Sequence, residues 1–145
     1  MNATTNAIPT IVPDVHRFME TGIVPTGDYL VDCVEVAAES LRGIGCLDVE
    51  PEPSMGTVVT CEDGDETVLV GVMPVVPDAY DEFTLDELDR LIDEPIIAML
   101  ATMSIQHALG TTPLPMNLRA DVLSVCIDPG RGRARVHHVK AVWHS

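Results

Sequence analysis

At 145 residues, the chain is long enough for one domain with a sizeable hydrophobic core, and its apolar content of 46% argues against wholesale disorder. A formal net charge of −15 makes the chain repel phosphate backbones unless a local basic patch is present. With a single lysine, Lys140, this charge is typical of adaptation to a salt-rich cytoplasm or of a GC-rich genome, and we favour that interpretation over an acidic functional surface.

No segment of the sequence predicts secretion or membrane insertion. The N-terminus has no basic region, and the longest apolar block, Ile96–Met103, is too short to span a bilayer. We therefore expect a cytoplasmic protein without a membrane partner. The cysteines are widely spaced and form no Cys-x-x-Cys pair, which predicts free buried thiols and no zinc site. They are Cys33, Cys46, Cys61 and Cys126.

The first third of the chain predicts a tail, a short turn and one long helix. Residues 1–14 are rich in Thr, Asn and Pro and are expected to form a flexible tail before a single domain at residues 15–145. Val15–Met19 is interpreted as one helical turn. From Asp28 to about Arg42, apolar residues recur at steps of three and four, which predicts a helix with Asp28 as its N-cap.

A three-stranded meander is expected next. Cys46–Val49 predicts a short edge strand, which the following prolines end. Thr57–Cys61 and Thr67–Val72 are two β-rich runs on either side of an acidic turn. Because Asp63-Gly64 suits the positive φ angles of a type I′ turn, these runs predict a β-hairpin with a solvated tip.

Pairing across this hairpin predicts an uncharged face. With Asp63-Gly64 as the loop, Val58 lies opposite Leu69. Side chains alternate between the two faces of a strand. The residues expected on one face are Gly56, Val58, Thr60, Thr67, Leu69, Gly71 and Met73.

The second half of the chain predicts helices and then a last pair of strands. Thr84 and Glu87 form a capping-box pattern that opens a helix. Pro95 indicates either a kink or the start of a second helix. That second segment, Ile96–Leu109, is apolar nearly all round and is expected to be buried. The expected strands are Ala120–Ile127 and Ala134–Val139, joined by a turn at residues 129–132.

The resulting order, α-β-β-β-α-β-β, is similar to the core of the restriction-endonuclease-like fold, an α/β (α+β) domain with a central mixed sheet flanked by helices. Glu35–Leu41, which reads E-x-x-A-x-x-L before Gly45, resembles the first helix of the YraN family of small bacterial endonuclease-like proteins, with one residue fewer before the leucine. Arg119–Val122 resembles that family's R-F-D-V-V strand, and Met55–Met73 resembles its hairpin in length and turn. Its closing motif I-x-H-I-x-x-A-F is matched at Val136, His138, Val139 and Trp143.

This resemblance implies a metal-dependent nuclease site that the chain has lost. In the family, the hairpin carries an Asp, and a Glu and a Lys two residues apart, which hold a divalent metal and position the nucleophile. Those positions fall on Val58, Gly71 and Met73, or on Val59 for the first if the strand is shifted by one residue. Mg²⁺ requires hard oxygen ligands, which these residues lack. We therefore expect a divergent, catalytically inactive member without a metal cofactor, serving as a nucleic-acid-related or interaction module.

Three alternatives remain open from the sequence. Glu35 is either a relic ligand of the lost site or a solvent-facing helix residue. The chain could instead be an active nuclease that binds Mg²⁺ or Mn²⁺ through Glu35 with Glu50, Glu52 or Asp121. It could also be an acidic protein-interaction domain unrelated to nucleases, including a homodimer through Ile96–Leu109.

Two smaller groups of residues complete the candidates. Adjacent His137 and His138 point to opposite faces of their strand, so they cannot bind one ion together, and one is expected to pack while the other is exposed. A basic cluster could contact phosphates and is the candidate nucleic-acid-binding site. The alternative interpretation, which we favour, is local charge balance in a very acidic protein. The members of the basic cluster are Arg131, Arg133, Arg135 and Lys140.

Overall fold

Six strands and three α-helices make up the part of the chain that the computed structural model describes, residues 15–22, 24–82 and 84–145. The tail expected at residues 1–14 lies outside these residues. The strands are β1 (Val15–Glu20), β2 (Leu47–Pro51), β3 (Val58–Asp63), β4 (Glu66–Val75), β5 (Leu118–Asp128) and β6 (Arg133–His144). The helices are α1 (Tyr29–Gly43), α2 (Leu85–Arg90) and α3 (Glu94–Leu109).

All six strands belong to one mixed sheet, in the order β1-β6-β5-β4-β3-β2. Only β4 and β5 are parallel, and the chain between them carries α2 and α3, since a parallel pair needs a long crossover. The other neighbouring pairs are antiparallel. The expected mixed sheet with flanking helices is therefore present, with one additional strand before α1.

That additional strand corrects the interpretation of Val15–Met19 as a helical turn. The segment lies in β1 and pairs with β6 from Val15 opposite His138 to Glu20 opposite Arg133. Five or six residues gain more backbone hydrogen bonds from an existing strand edge than from a single helical turn, whose nucleation is costly. The conformation of Val15–Met19 is therefore determined by its pairing with β6, which lies more than a hundred residues away in the sequence.

The helices divide between the two faces of the sheet. α1 packs on one face, where its buried residues meet the Val59 and Val70 side of the hairpin. α3 packs on the other face, where Leu100 meets Val58, Leu69 and Val122. α2 lies on that same side, with Leu88 packed beside Cys126. Opposite sides of the sheet therefore carry α1 and α3.

The β3–β4 hairpin forms with a register that differs by two residues from the expected one. Val58 lies opposite Gly71, and Asp63 lies opposite Glu66, so the loop is residues 64–65 with Gly64 at φ 63°. The last pair is held by Arg119, whose Nη1 lies 2.9 Å from the Asp63 carboxylate and 3.0 Å from that of Glu66. Because the side-chain period of a strand is two, this shift leaves every residue on its expected face.

The helix starts follow the expected caps. The Asp28 side chain accepts hydrogen bonds from the first turn of α1, and Thr84 accepts one from the Glu87 N–H of α2. α3 is a separate helix: Asp93 caps it through the Ile96 N–H, and Pro95 lies in its first turn, where no intrahelical donor is lost.

The expectation that Ile96–Leu109 is buried all round is wrong. The described residues of α3 that are buried are Leu100, Ser104 and Ala108. By contrast, Met99 is 51% exposed, Ile105 is 46% exposed and Leu109 is 72% exposed. The helix covers the sheet with one face, and no further layer of described residues covers the opposite face. No helix among the described residues has the length and apolarity needed to cross a membrane.

Candidate functional site

The three positions expected to mark the lost metal site do lie together, under α3. Val58 and Gly71 are opposite each other, and Met73 follows on the same face of β4. They line a small cavity of about 140 Å³ together with α3 side chains that include Leu100. A Cβ placed on Gly71 would lie 2.8 Å from Leu100 Cδ2, so the helix packs directly against the glycine backbone.

This layer contains no ligand for a hard cation. Its described side chains are aliphatic, thioether or aromatic groups, apart from the Thr57 hydroxyl, which donates to the Val72 carbonyl, whereas Mg²⁺ and Mn²⁺ prefer carboxylate, carbonyl and water oxygens. The shifted position, Val59, faces α1 instead and is fully buried among Val70 and Val72. In neither register does the middle of the hairpin present a carboxylate.

Glu35 lies on the other side of the sheet from Val58, Gly71 and Met73. It is half-buried on α1, on the wall of a groove of about 420 Å³ that separates α1 from the segment after β2. The structure therefore does not combine Glu35 with the hairpin positions into one site.

The alternative ligand set is not assembled in the described residues. Glu50 is exposed on the edge strand β2, and Glu52 is half-buried just after it. Asp121 is fully buried in the centre of the sheet. Across the described residues, no group of three or more His, Cys, Asp or Glu side chains could hold a metal ion.

Asp121 forms instead the centre of a buried ionic network. Its carboxylate accepts hydrogen bonds from Arg119 Nε at 2.9 Å and Arg119 Nη2 at 3.0 Å. It also lies 2.7 Å from His138 Nε2 and accepts the Ala141 N–H at 2.9 Å. Burial by itself raises the pKa of Asp121, but the hydrogen bonds from His138 and Arg119 bring that pKa below its ordinary value. Both oxygens are thus engaged by cationic or neutral donors, which leaves poor access for a metal.

The network has a structural role at a break in the β5–β6 pairing. Val122 lies opposite Val139 and Ala120 opposite Trp143, so three residues of β6 face the single residue Asp121. Ala141, inside this bulge, has φ 58°, and its N–H points at the Asp121 carboxylate. The sequence analysis did not predict this network, because sequence spacing gives no sign that Asp121 and His138 meet beside a bulge.

Both histidines of the His137-His138 pair are buried, which corrects the expectation that one is exposed. They do point to opposite faces, as the strand period requires. His138 binds Asp121 on the α1 side, whereas His137 Nε2 lies 3.0 Å from Asp89 of α2 on the other side. Each histidine therefore joins β6 to a different carboxylate.

Two arginines of the basic cluster interact with the protein itself. Arg131 lies 3.2 Å from Asp128 and 3.6 Å from Asp81, in exposed ion pairs. Arg135 donates to the Tyr80 carbonyl and lies over the Phe18 ring, 5.3 Å from its centroid. These contacts favour the interpretation of local charge balance.

Arg133 lies beside the other two arginines, at the start of β6 opposite the acidic residues Glu20 and Asp128 and on the same strand face as Arg135. All three arginines act electrostatically on Tyr80. Lys140 lies seven residues further along β6 than Arg133, about 23 Å away at the rise of a strand. The structure therefore gathers the three arginines near Tyr80 and separates Lys140 from them.

The four cysteines are free and buried, as expected. Cys46 and Cys61 are hydrogen-bonded to each other, and this contact lowers the pKa of the Cys46 thiol and raises that of Cys61. Burial raises the pKa of Cys33 to about 12. All four thiols are buried, which is typical of core residues rather than of nucleophiles.

Among the described residues, we consider two surfaces that the core does not use. The first, the α3 contact face, consists of the exposed residues Ala98, Met99, Thr102, Ile105, Gln106 and Leu109. The second, the α1 groove, lies on the opposite side of the sheet and includes Glu35. No family model, no curated protein and no solved structure matches this chain.

Proposed function

We propose that this chain is a non-catalytic interaction module that self-associates through the α3 contact face, on a scaffold related to the restriction-endonuclease-like core. The single observation that carries the proposal is the exposed apolar face of α3. Met99, Ile105 and Leu109 are each about half exposed or more on a helix whose other face already forms the core. Exposed contiguous apolar surface of this kind is typical of protein contacts.

The face is suited to burial. Between Pro95 and Gln106 the helix carries no charged side chain. Thr102 has the only hydroxyl on the face, and that hydroxyl donates to the Ala98 carbonyl at 3.0 Å. Covering the face leaves no hydroxyl donor unsatisfied, and the Gln106 amide is the polar group that the partner must hydrogen-bond, since an unsatisfied buried group costs about 1–3 kcal/mol.

A second copy aligned antiparallel can contact this face without burying a carboxylate. Copies that each carry −15 repel one another, so a contact that buries no carboxylate is the least unfavourable. A two-fold axis across the middle of α3 would use the same surface on both copies.

The scaffold assignment rests on the order of elements and on the pairing of strands. A helix, a three-stranded antiparallel meander, a helical crossover and a strand parallel to the end of the meander follow one another, as the resemblance implies. Loss of catalysis is supported by Val58, Gly71 and Met73, which are covered by α3 and lack oxygen ligands.

The test is the oligomeric state of three matched proteins. We expect a dissociation constant near 1 μM, which corresponds to an association free energy of about 8 kcal/mol. The wild type should therefore sediment as a dimer at tens of micromolar. Ile105→Glu places a charge in the middle of the face and should give a folded monomer. Val76→Glu, at a residue 65% exposed outside α3, is the control and should remain dimeric.

Either of two results contradicts the proposal. One is a wild type that is monomeric in analytical ultracentrifugation up to about 1 mM, where even weak association is populated. The other is a folded Ile105→Glu protein that dimerises as well as Val76→Glu. Circular dichroism of all three proteins establishes that the comparison concerns association and not unfolding.

A further inference from the structure

The α1 groove is a concave site of about 420 Å³ between the first half of α1 and the proline-rich segment that follows β2. Its volume lies in the range of small-molecule sites, about 300–1,000 Å³. Leu30, 52% exposed, and Val31, 45% exposed, form its helical wall. Pro51 and Pro53 form the facing wall.

The facing wall is held in a fixed shape. Pro51 and Pro53 have restricted φ angles, and the segment between them is tied to β3 by the hydrogen bond from the Glu52 N–H to the Val58 carbonyl at 2.8 Å. A short 3₁₀ helix, Pro53–Met55, continues it. A rigid wall lowers the entropy cost of ordering a site around a ligand.

The groove borders the free edge of β2, but that edge does not suit an added peptide strand. Pro51 has no N–H to donate, and Asp48 has φ 51°, which interrupts the extended conformation. The pairing of β2 with β3 also shifts register between Leu47 and Glu50. A compact ligand therefore fits this groove better than an extended chain.

The polar groups of the groove determine the charge of that ligand. Two carboxylates, Asp28 and Glu35, lie on its α1 wall, and none of the described residues that line it is cationic. Asp28 is already engaged, because it accepts the Leu30 and Val31 N–H groups as the N-cap of α1. Glu35, half-buried beside Val31 and Val34, is then the available acceptor for a positive charge.

From this arrangement we propose that the α1 groove binds a small amphipathic ammonium compound, with Glu35 pairing the cation and Leu30, Val31, Pro51 and Pro53 covering the apolar body. The site is independent of the proposed self-association, since α3 lies on the other side of the sheet. Ile105→Glu should therefore leave the groove intact, and failure of one proposal does not decide the other.

The probe is 2-phenylethylammonium, with neutral 2-phenylethanol as its near-isostere, titrated into ¹⁵N-labelled protein and followed by amide chemical shifts. We expect the largest shifts at Leu30, Val31 and Thr57, which line the groove. A ligand of about nine heavy atoms should bind with a millimolar dissociation constant. The cation should bind about fivefold more tightly than the alcohol, as a half-exposed ion pair allows.

Matched variants separate the groove from general attraction to an acidic surface. Glu35→Gln should abolish the preference for the cation while the alcohol still binds. Glu39→Gln removes the same charge one turn further along α1, outside the groove, and should keep the preference. Val31→Lys, at an exposed position, should abolish binding of both probes.

Three outcomes would overturn the inference. The shifts could be scattered over the acidic surface, they could cluster away from the groove, or Glu35→Gln could behave like Glu39→Gln. Dispersed amide spectra of each variant show that the fold is retained, so each of these results concerns binding alone.

Discussion

At the scale of single residues, the buried Asp121 carboxylate is the most consequential side chain of the fold. It balances the charge of Arg119, forms a hydrogen bond with His138, and fixes the Ala141 N–H of the β6 bulge; both partner side chains are nearly inaccessible. Removing one member of a buried ion pair costs about 3–5 kcal/mol, because the partner charge is left uncompensated. The contribution of Asp121 to the free energy of unfolding should therefore come mostly from its charge and not from its shape.

We expect Asp121→Asn to lower the free energy of unfolding by about 3 kcal/mol or more, measured by urea denaturation at pH 7. Asp65→Asn, at an exposed residue of the hairpin loop, is the matched control and should change it by less than about 1 kcal/mol. Equal effects of the two substitutions would show that the network does not stabilise the fold.

We also expect the stability difference between wild type and Asp121→Asn to depend on pH. The folded-state pKa of Asp121 is lower than the unfolded value of about 4, so the wild type gains stability from this carboxylate above pH 4. That gain is lost as the pH falls through the folded pKa. The difference in unfolding free energy between wild type and Asp121→Asn should therefore narrow below about pH 4. A constant difference down to pH 2 would contradict this assignment.

Gly71 provides a second prediction at this scale. A methyl group at this position would meet Leu100 Cδ2 at 2.8 Å in a packed layer, which costs about 1–3 kcal/mol, more than the 0.4–1 kcal/mol gained from a less flexible unfolded chain. Gly71→Ala should therefore destabilise the protein in urea denaturation. In the Leu100→Ala protein the same methyl group fills space left by the leucine, so Gly71→Ala should be neutral or stabilising there. If the effects of the two substitutions on the unfolding free energy are additive, the result contradicts the contact.

At the scale of elements, the bulge in β6 depends on an unusual backbone conformation. Ala141 has φ 58°, which costs a residue with a Cβ about 1–2 kcal/mol relative to glycine. Ala141→Gly should raise the thermal midpoint, with a net gain of up to about 1 kcal/mol after the added flexibility of the unfolded chain. Ala101→Gly, inside α3, is the control and should lower stability by about 1 kcal/mol.

Local chemistry in the sequence was sufficient for the elements whose signals are short-range. Asp28 and Thr84 mark helix starts, and a glycine in an acidic loop marks the hairpin. The two-residue register error arose because Asp63 is paired by Arg119, a distant residue that no local pattern identifies. For the same reason Val15–Met19 was assigned to a helix, since its strand partner lies in β6.

The candidate site was predictable only in part. Alternation along the strands correctly placed Val58, Gly71 and Met73 on one face. The side of the sheet that carries α1, and with it Glu35, depends on the crossover connections and is not encoded in any short motif. The exposure of α3 was missed because an apolar helix has the same pattern whether it is buried by its own chain or by another.

At the scale of the whole molecule, we expect no nuclease activity and no response to divalent metals. Purified protein incubated with duplex, branched and single-stranded DNA and with RNA, in Mg²⁺ or Mn²⁺ at low and high salt, should leave each substrate intact. Because a ligand that binds only the folded state raises the melting temperature, neither ion should shift it specifically. Cleavage that is lost in Glu35→Ala would contradict the non-catalytic assignment.

The single parallel pairing between β4 and β5 has a consequence for how the chain folds. Each hairpin, β3–β4 and β5–β6, closes a loop of a few residues, whereas the seam between them must close residues 76–117, at an entropy cost of about 3 kcal/mol from chain length alone. We expect the two hairpins to be formed in the folding transition state and the seam, with the helices that cross it, to consolidate afterwards. Leu100→Ala, in the helix that crosses the seam, should then speed unfolding, whereas substitutions within the β3–β4 hairpin should slow folding. Stopped-flow kinetics showing the reverse would contradict this order.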